Sequence, residues 1–132
     1  MSIDVFNSGY KPVPNPPGWT APQQATWSAT TATLISGSTD ALLVDALITT
    51  AESERLASWV RDSGKNLTTV YITHQYLDHF FGAGPTPAAF PQAQLVSLPE
   101  VVSEAQRSAR RWTIEGDGSV GSSMRRRPFP RP

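Results

Sequence analysis

The chain has 132 residues, of which 39% are hydrophobic, with 11 basic and 11 acidic side chains and no cysteine. This length suits one domain with a modest core, and the lack of cysteine excludes disulfides and thiolate metal sites. The longest apolar stretch, residues 41–48, is interrupted by Asp45 and is too short to span a bilayer. The first residues lack the basic and apolar segments of a signal peptide, so we expect a cytoplasmic protein without a membrane partner.

The charges are unevenly distributed. Residues 1–106 carry four basic and nine acidic side chains, whereas residues 107–132 carry seven arginines and two acidic side chains. The end of the chain is rich in Gly, Ser, Arg and Pro and has no periodicity, which predicts a disordered, Arg-rich tail over residues 112–132. Such a tail could bind phosphate or nucleic acid, but no aromatic platform accompanies it, and we do not expect nucleic-acid binding.

The N-terminal segment, residues 1–28, is rich in Pro, Gly, Asn and Gln. Its proline run at residues 12–18 excludes helix and central strand. Because Tyr10, Trp19 and Trp27 are interspersed, we predict a Pro-rich N-terminal arm that lies on the domain surface. The alternative is a ligand for an SH3-type partner.

Regular structure is predicted from residue 29 onwards. Thr30–Ser36 and Ala41–Ala46 are rich in β-branched or apolar residues and flank a turn, which indicates a hairpin. A helix over Ala51–Ser63 follows, and it begins with a capping box formed by Thr49 and Glu52. This part of the sequence therefore opens an α/β domain.

The next elements complete that domain, which we place at residues 29–111. Leu67–Thr73 is strongly β-branched and is predicted to lie at the centre of the sheet. A short helical piece ending at Phe90, a strand over Gln94–Leu98 and a helix over Glu100–Arg111 follow. The order β-β-α-β-α-β-α predicts an α/β fold.

Two imidazoles and a carboxylate follow the central strand within six residues, at His74, Asp78 and His79. Side chains at the carboxyl end of such a strand project into the crevice where α/β proteins bind ligands. Imidazole and carboxylate are suitable donors for Zn, Fe or Mn. Each residue alone is more often structural, Asp78 for example as a helix N-cap, but the three together favour a metal site.

Residues 73–82 (THQYLDHFFG) resemble the Thr-His-x-His-x-Asp-His signature of the metallo-β-lactamase superfamily of metal-dependent hydrolases. Leu43–Ala46 resembles the family strand whose aspartate lies near the site, and residues 64–68 resemble the approach to the metal strand. The resemblance covers about residues 29–106. It implies a truncated αβ/βα sandwich, namely its N-terminal half: one mixed sheet with helices on one face.

The resemblance implies that His74, Asp78 and His79 are metal ligands and that Asp78 is also catalytic. It places Asp45 behind the ligands, where it would orient them. Tyr76 stands where the family has its second motif histidine, and we expect it beside the ligands as a packing aromatic because its high pKa makes tyrosine a poor zinc ligand. No histidine follows His79, so ligands that the family draws from its C-terminal half are missing. Zinc, or else iron or manganese, is therefore expected to bind weakly or not at all.

Three functions remain open at this point. The first is a family hydrolase with an incomplete metal site and an unidentified small-molecule substrate, and the second is a degenerate, non-catalytic fragment of the family. The third is an interaction module that uses the Pro-rich arm or the Arg-rich tail. Because the family packs a second half against the sheet, we expect the face carrying Leu34, Leu43 and Val70 or Ile72 to be partly bare and to support self-association.

Overall fold

Five strands form a mixed sheet in the computed structural model, which describes residues 1–83 and 85–115. The sheet strands are β1 (Ser2–Asn7), β4 (Thr31–Ser36), β5 (Asp40–Val44), β6 (Asn66–Tyr71) and β7 (Gln94–Val96), and two further strands, β2 (Lys11–Pro12) and β3 (Thr26–Trp27), lie outside this sheet. The helices are α1 (Thr50–Asp62), α2 (Leu77–Phe80), α3 (Pro85–Ala89) and α4 (Pro99–Glu115), with a 3-10 turn at Phe81–Ala83. None of these helices has the length and apolar character needed to cross a bilayer.

The sheet has the strand order β1-β4-β5-β6-β7. β4 pairs antiparallel with β1 and β5, whereas β6 pairs parallel with β5 and β7. The two parallel connections run through helices, as expected for an α/β unit. The α/β fold with one mixed sheet is confirmed.

Helix α1 begins as the sequence predicted. The Thr49 hydroxyl accepts a hydrogen bond from the Glu52 N–H at 3.2 Å, and the Glu52 carboxylate accepts one from the Thr49 N–H at 2.9 Å. The last helix differs, because α4 continues to Glu115 and not only to Arg111. The rest of the predicted disordered tail lies outside the described residues.

The N-terminal residues contribute a strand that the sequence analysis did not include. β1 pairs with β4 from Ser2, opposite Ser36, to Asn7, opposite Thr31. Residues of alternating character are typical of such a strand, but the proline run that follows favoured an arm. β2 and β3 form a separate two-stranded pair, and Lys11 joins it to α1 through an ion pair with Glu52.

One face of the sheet packs against the helices and forms the core. Leu34, Leu43 and Val70 lie side by side on this face and are 1%, 0% and 0% exposed, and Ile72 is 2% exposed. They cluster with Leu56 of α1 and with further buried residues of the helices. The prediction that this face is bare is therefore wrong.

The bare face is the opposite one. Two rows of side chains cross all five strands there, and neither contains a charged residue. The rows are Ile3, Ile35, Leu42, Thr69 and Gln94, and Val5, Thr33, Val44, Tyr71 and Val96. Because Leu42 and Leu43 are both apolar, alternation along β5 did not reveal which side faces the helices.

Candidate metal centre

The candidate centre lies at the carboxyl ends of β5 and β6. Asp45 follows β5, His74 follows β6, and His79 lies in α2. Because the two strands are parallel neighbours, their carboxyl ends meet at one edge of the sheet, where α/β folds place ligands. Ligand atoms of these three residues all lie within 4.8 Å of one another. The fold thus brings His74 and His79, from the two ends of the motif, into one cluster with Asp45, which follows a different strand.

An unusual loop conformation carries Asp45 to this position. Asp45 and Leu47 have φ angles of 62° and 65°, in the left-handed region that non-glycine residues seldom adopt. The surrounding main chain holds this loop, because the Asp45 N–H donates to the Tyr71 carbonyl and the Ala46 N–H donates to the His79 carbonyl, each at 2.8 Å. Strained backbone held by its surroundings is typical of functional sites.

Asp45 is buried, with 7% of the residue exposed, and its carboxylate accepts several hydrogen bonds. The Thr73 N–H and hydroxyl each lie 2.9 Å from Oδ1, and Nδ1 of His79 lies 2.8 Å from Oδ2. An ionised carboxylate only accepts, so Nδ1 of His79 carries the proton. The lone pair of His79 is then on Nε2, where it is available to a metal.

Asp45 also acts on the other histidine, through Thr73. The Thr73 hydroxyl lies 2.8 Å from Nδ1 of His74 and 2.9 Å from both carboxylate oxygens of Asp45. Since the hydroxyl has one hydrogen and the carboxylate has none to give, the hydroxyl donates to Asp45 and accepts from Nδ1 of His74. This arrangement leaves the lone pair of His74 on Nε2 as well.

Asp78 stands on the opposite side of the His79 ring from Asp45. Its Oδ2 lies 3.5 Å from Nε2 of His79. Two ligands bound to zinc at about 2.0–2.1 Å in a tetrahedron are separated by roughly 3.3 Å, so this spacing fits two ligands of one ion. The 2.8 Å between Asp45 and His79 is a hydrogen-bond distance. The geometry therefore suits Asp78 as a ligand and Asp45 as the group that orients His79.

The aromatic residue of the motif lies at the surface of the cluster. Tyr76 is 65% exposed, and its ring meets the His74 ring edge-on, with 5.1 Å between the centroids. The rings of His74 and His79 are closer, with 3.9 Å between their centroids. Tyr76 therefore covers one side of the His74 ring, where the family motif has a further imidazole.

The donor set fits a transition-metal ion only in part. The ligands that the resemblance implies, His74, Asp78 and His79, would supply two imidazoles and one carboxylate, which is the number of protein ligands in many catalytic zinc sites. The structure brings His74 and His79 together with Asp45, whereas Asp78 is close to His79 but is not part of that group of three. The orienting carboxylate behind a ligating histidine is also typical of such sites. The remaining ligands that the resemblance implies are absent from the described residues.

Sequence reasoning missed the part that Thr73 plays. The sequence predicts Thr73 only as the end of the central strand, whereas β6 ends at Tyr71 and the Thr73 hydroxyl links Asp45 to His74. A hydroxyl residue directly before a ligand histidine was the available signal. It could not be interpreted alone, because Asp45 lies 28 positions earlier in the chain.

Comparison with known proteins relates the chain to one family and to solved structures of the same fold. The model of the metallo-beta-lactamase superfamily matches residues 25–130 of the chain. A metallo-β-lactamase from Hirschia baltica superposes with a TM-score of 0.62 at 19% identity, over 80% of this chain and 43% of that one. The FIM-1 metallo-β-lactamase from Pseudomonas aeruginosa, in its mono-zinc form, gives 0.62 at 12% identity, over 80% and 42%.

These similarities concern the fold. At such low identity they carry no information on substrate, and the chain spans less than half the length of either solved protein. No protein among the curated sequences matches the chain. What the chain binds must therefore be argued from its own residues.

Proposed function

Because this chain belongs to the metallo-β-lactamase superfamily, we propose that it binds one transition-metal ion, zinc in the first place, through His74, Asp78 and His79. The observation that carries this proposal is the hydrogen bond between Asp45 and Nδ1 of His79, together with its extension through Thr73 to His74. Both bonds fix the imidazole tautomer that a metal requires.

The finer part of the proposal is hydrolysis of a small-molecule substrate. A metal bound here would supply Lewis acidity and lower the pKa of a water molecule. The chain's own contribution is to hold the imidazoles through Asp45 and to offer a carboxylate, Asp78, whose Oδ1 can accept a proton from water while Oδ2 faces Nε2 of His79. Asp78 is the group we propose as catalytic, since it is only partly buried and does not share the hydrogen bonds of Asp45.

Metal titration tests the binding proposal. The chain is stripped with a chelator and titrated with Zn²⁺ against an indicator, and Co²⁺ absorption reports the coordination number. We expect one equivalent to bind, with a dissociation constant on the order of micromolar or weaker, because three protein donors are proposed among the residues that the structure describes. His79→Ala should abolish binding, Asp78→Asn should weaken it, and Glu54→Gln, an exposed change on α1, should leave it unaltered.

A chain that takes up no Zn²⁺ or Co²⁺, or that binds equally well after His79→Ala, contradicts the proposal. The second candidate function is metal binding without hydrolysis, which the tyrosine at position 76 favours. Assays of the zinc-loaded chain with ester, amide and phosphodiester substrates separate the two candidates. Turnover that is lost in Asp78→Asn supports hydrolysis, and no turnover by a metal-loaded chain supports the second candidate.

A further inference from the structure

The 3-10 turn after α2 lies unusually close to the loop that carries Asp45. A Cβ atom built on Gly82 would lie 2.0 Å from the carbonyl oxygen of Ala46 and 3.2 Å from that of Leu47. The first distance is far below any real contact, and the obstacle is main chain, which cannot rotate away. Only glycine fits at this position, and the reason is space, since Gly82 is not among the residues with positive φ.

The main chain of Gly82 is held from two sides. Its N–H donates to the Leu47 carbonyl at 2.9 Å. Its carbonyl accepts a hydrogen bond at 2.6 Å from the hydroxyl of Ser53, a residue of α1 that is 0% exposed. The Thr86 hydroxyl of α3 lies 3.2 Å from the same carbonyl and 3.0 Å from the Ser53 hydroxyl. Three helical segments and the β5–α1 loop therefore meet at this glycine.

These contacts between Gly82, the β5–α1 loop and the helices form a junction, which determines where Asp45 and His79 lie relative to one another. Gly82 comes three residues after His79, and Leu47, its partner, comes two residues after Asp45. A second main-chain bond, from Ala46 to the His79 carbonyl, completes the contact between the loop and α2. Any widening of the junction would thus lengthen the 2.8 Å contact between Asp45 and Nδ1 of His79.

We infer that Gly82 is a positioning residue of the metal centre, and that Ser53 holds it in place from α1. The missing side chain allows the loop and α2 to approach until Asp45 can orient His79. The expected effect on metal affinity rests on the proposed metal function. The effect on the hydrogen bond between Asp45 and His79 does not, because it can be measured in the metal-free chain. Metal affinity should then depend on residues that touch neither the metal nor its ligands.

The test compares Gly82→Ala with Gly37→Ala in the full chain. Gly37 is a matched control, because a Cβ there would meet only the Asp40 carbonyl oxygen at an ordinary 3.6 Å, and its φ is not positive. We expect Gly82→Ala to weaken Zn²⁺ binding by at least about tenfold, as displacement of an orienting partner does. Gly37→Ala should leave the affinity unchanged.

Ser53→Ala serves as a milder second variant, which removes one hydroxyl and adds no bulk. We expect a loss of a few-fold in Zn²⁺ affinity, and faster solvent exchange of the Nδ1 proton of His79 in nitrogen-15 NMR spectra of the metal-free chain. If Gly82→Ala does not fold, Ser53→Ala decides the matter. Unchanged proton exchange and unchanged affinity in a folded Ser53→Ala overturn the inference, as does a folded Gly82→Ala with wild-type affinity.

The two proposals fail in different ways. If the wild-type chain binds no metal, the proposed function is wrong. The NMR signal of the Nδ1 proton of His79 still shows whether Gly82 and Ser53 control the hydrogen bond between His79 and Asp45. A purely structural role would lower the unfolding temperature of the variants and leave both the proton exchange and the affinity of the folded molecules unaltered.

Discussion

The substitution Asp45→Asn tests the proposed role of the Asp45 carboxylate in orienting the histidines of the candidate metal centre. Asparagine tolerates the left-handed backbone that position 45 adopts at φ 62°, so the loop is retained, which alanine would not ensure. The carboxylate serves three donors: the N–H and hydroxyl of Thr73, and Nδ1 of His79. An amide keeps only one oxygen, so at least one of these donors loses its acceptor.

The expected loss of affinity follows from this count. Orienting partners of ligand histidines typically contribute a factor of about 10–100 to metal affinity, or about 1.4–2.7 kcal/mol. Competitive Zn²⁺ titration at neutral pH measures this loss of affinity. Asp40→Asn is the control, because Asp40 also accepts a side-chain hydrogen bond, from Asn66, but lies at the other end of β5. An unchanged affinity refutes the orienting role. A loss as large as that of His79→Ala instead makes Asp45 a direct ligand.

Three further predictions concern the core, the helix start and the motif tyrosine. Leu43→Ala should lower the free energy of unfolding by about 3 kcal/mol and Leu42→Ala by only about 1 kcal/mol, since Leu43 is 0% exposed and Leu42 lies on the bare face. Equal losses for the two variants in urea unfolding contradict the assigned faces. Burial alone would raise the pKa of Glu52, but hydrogen bonds from Lys11 and from the N–H and hydroxyl of Thr49 hold the pKa below its ordinary value of 4.5. The stabilisation is therefore present above pH 4.5 and is lost as the pH falls through the folded-state pKa. The unfolding free energies of wild type and Glu52→Gln should differ at pH 7 and converge as the pH falls below 4.5 through that lowered pKa, and a constant difference speaks against this account. Tyr76→His should tighten Zn²⁺ binding by on the order of tenfold, because a further imidazole raises the number of protein donors; a weaker or equal affinity in the titration means that position 76 points away from the metal.

Much of the fold could be predicted from local pattern. The β4–β5 hairpin, the capping box at Thr49 and Glu52, and the central strand before His74 all depend on near neighbours in sequence. The candidate ligands could also be found, because they lie within six residues and resemble a known signature. Local patterns of this kind leave their trace in a single sequence.

The remaining features depend on contacts between distant residues. Strand β1 pairs with β4 across a proline-rich segment, and no short window contains both. Which face of β5 is buried depends on where α1 packs. The sequence does not decide this, because Leu42 and Leu43 are both apolar and lie on opposite faces. Gly82 was visible as part of the motif, but the carbonyl of Ala46 that excludes any side chain there lies 36 positions away.

The position of β1 has a consequence for anyone who shortens this protein. Composition predicts a Pro-rich surface arm over the first 28 residues, yet Ser2–Asn7 form the outermost strand of the sheet. A chain trimmed beyond the prolines would expose the main-chain N–H and C=O groups of β4 along its six residues, next to an uncharged face. An edge strand can pair with strands of other molecules, and charged side chains reduce that pairing, so trimming would replace the edge strand β1, which contains Asp4, with β4, which has no charged residue.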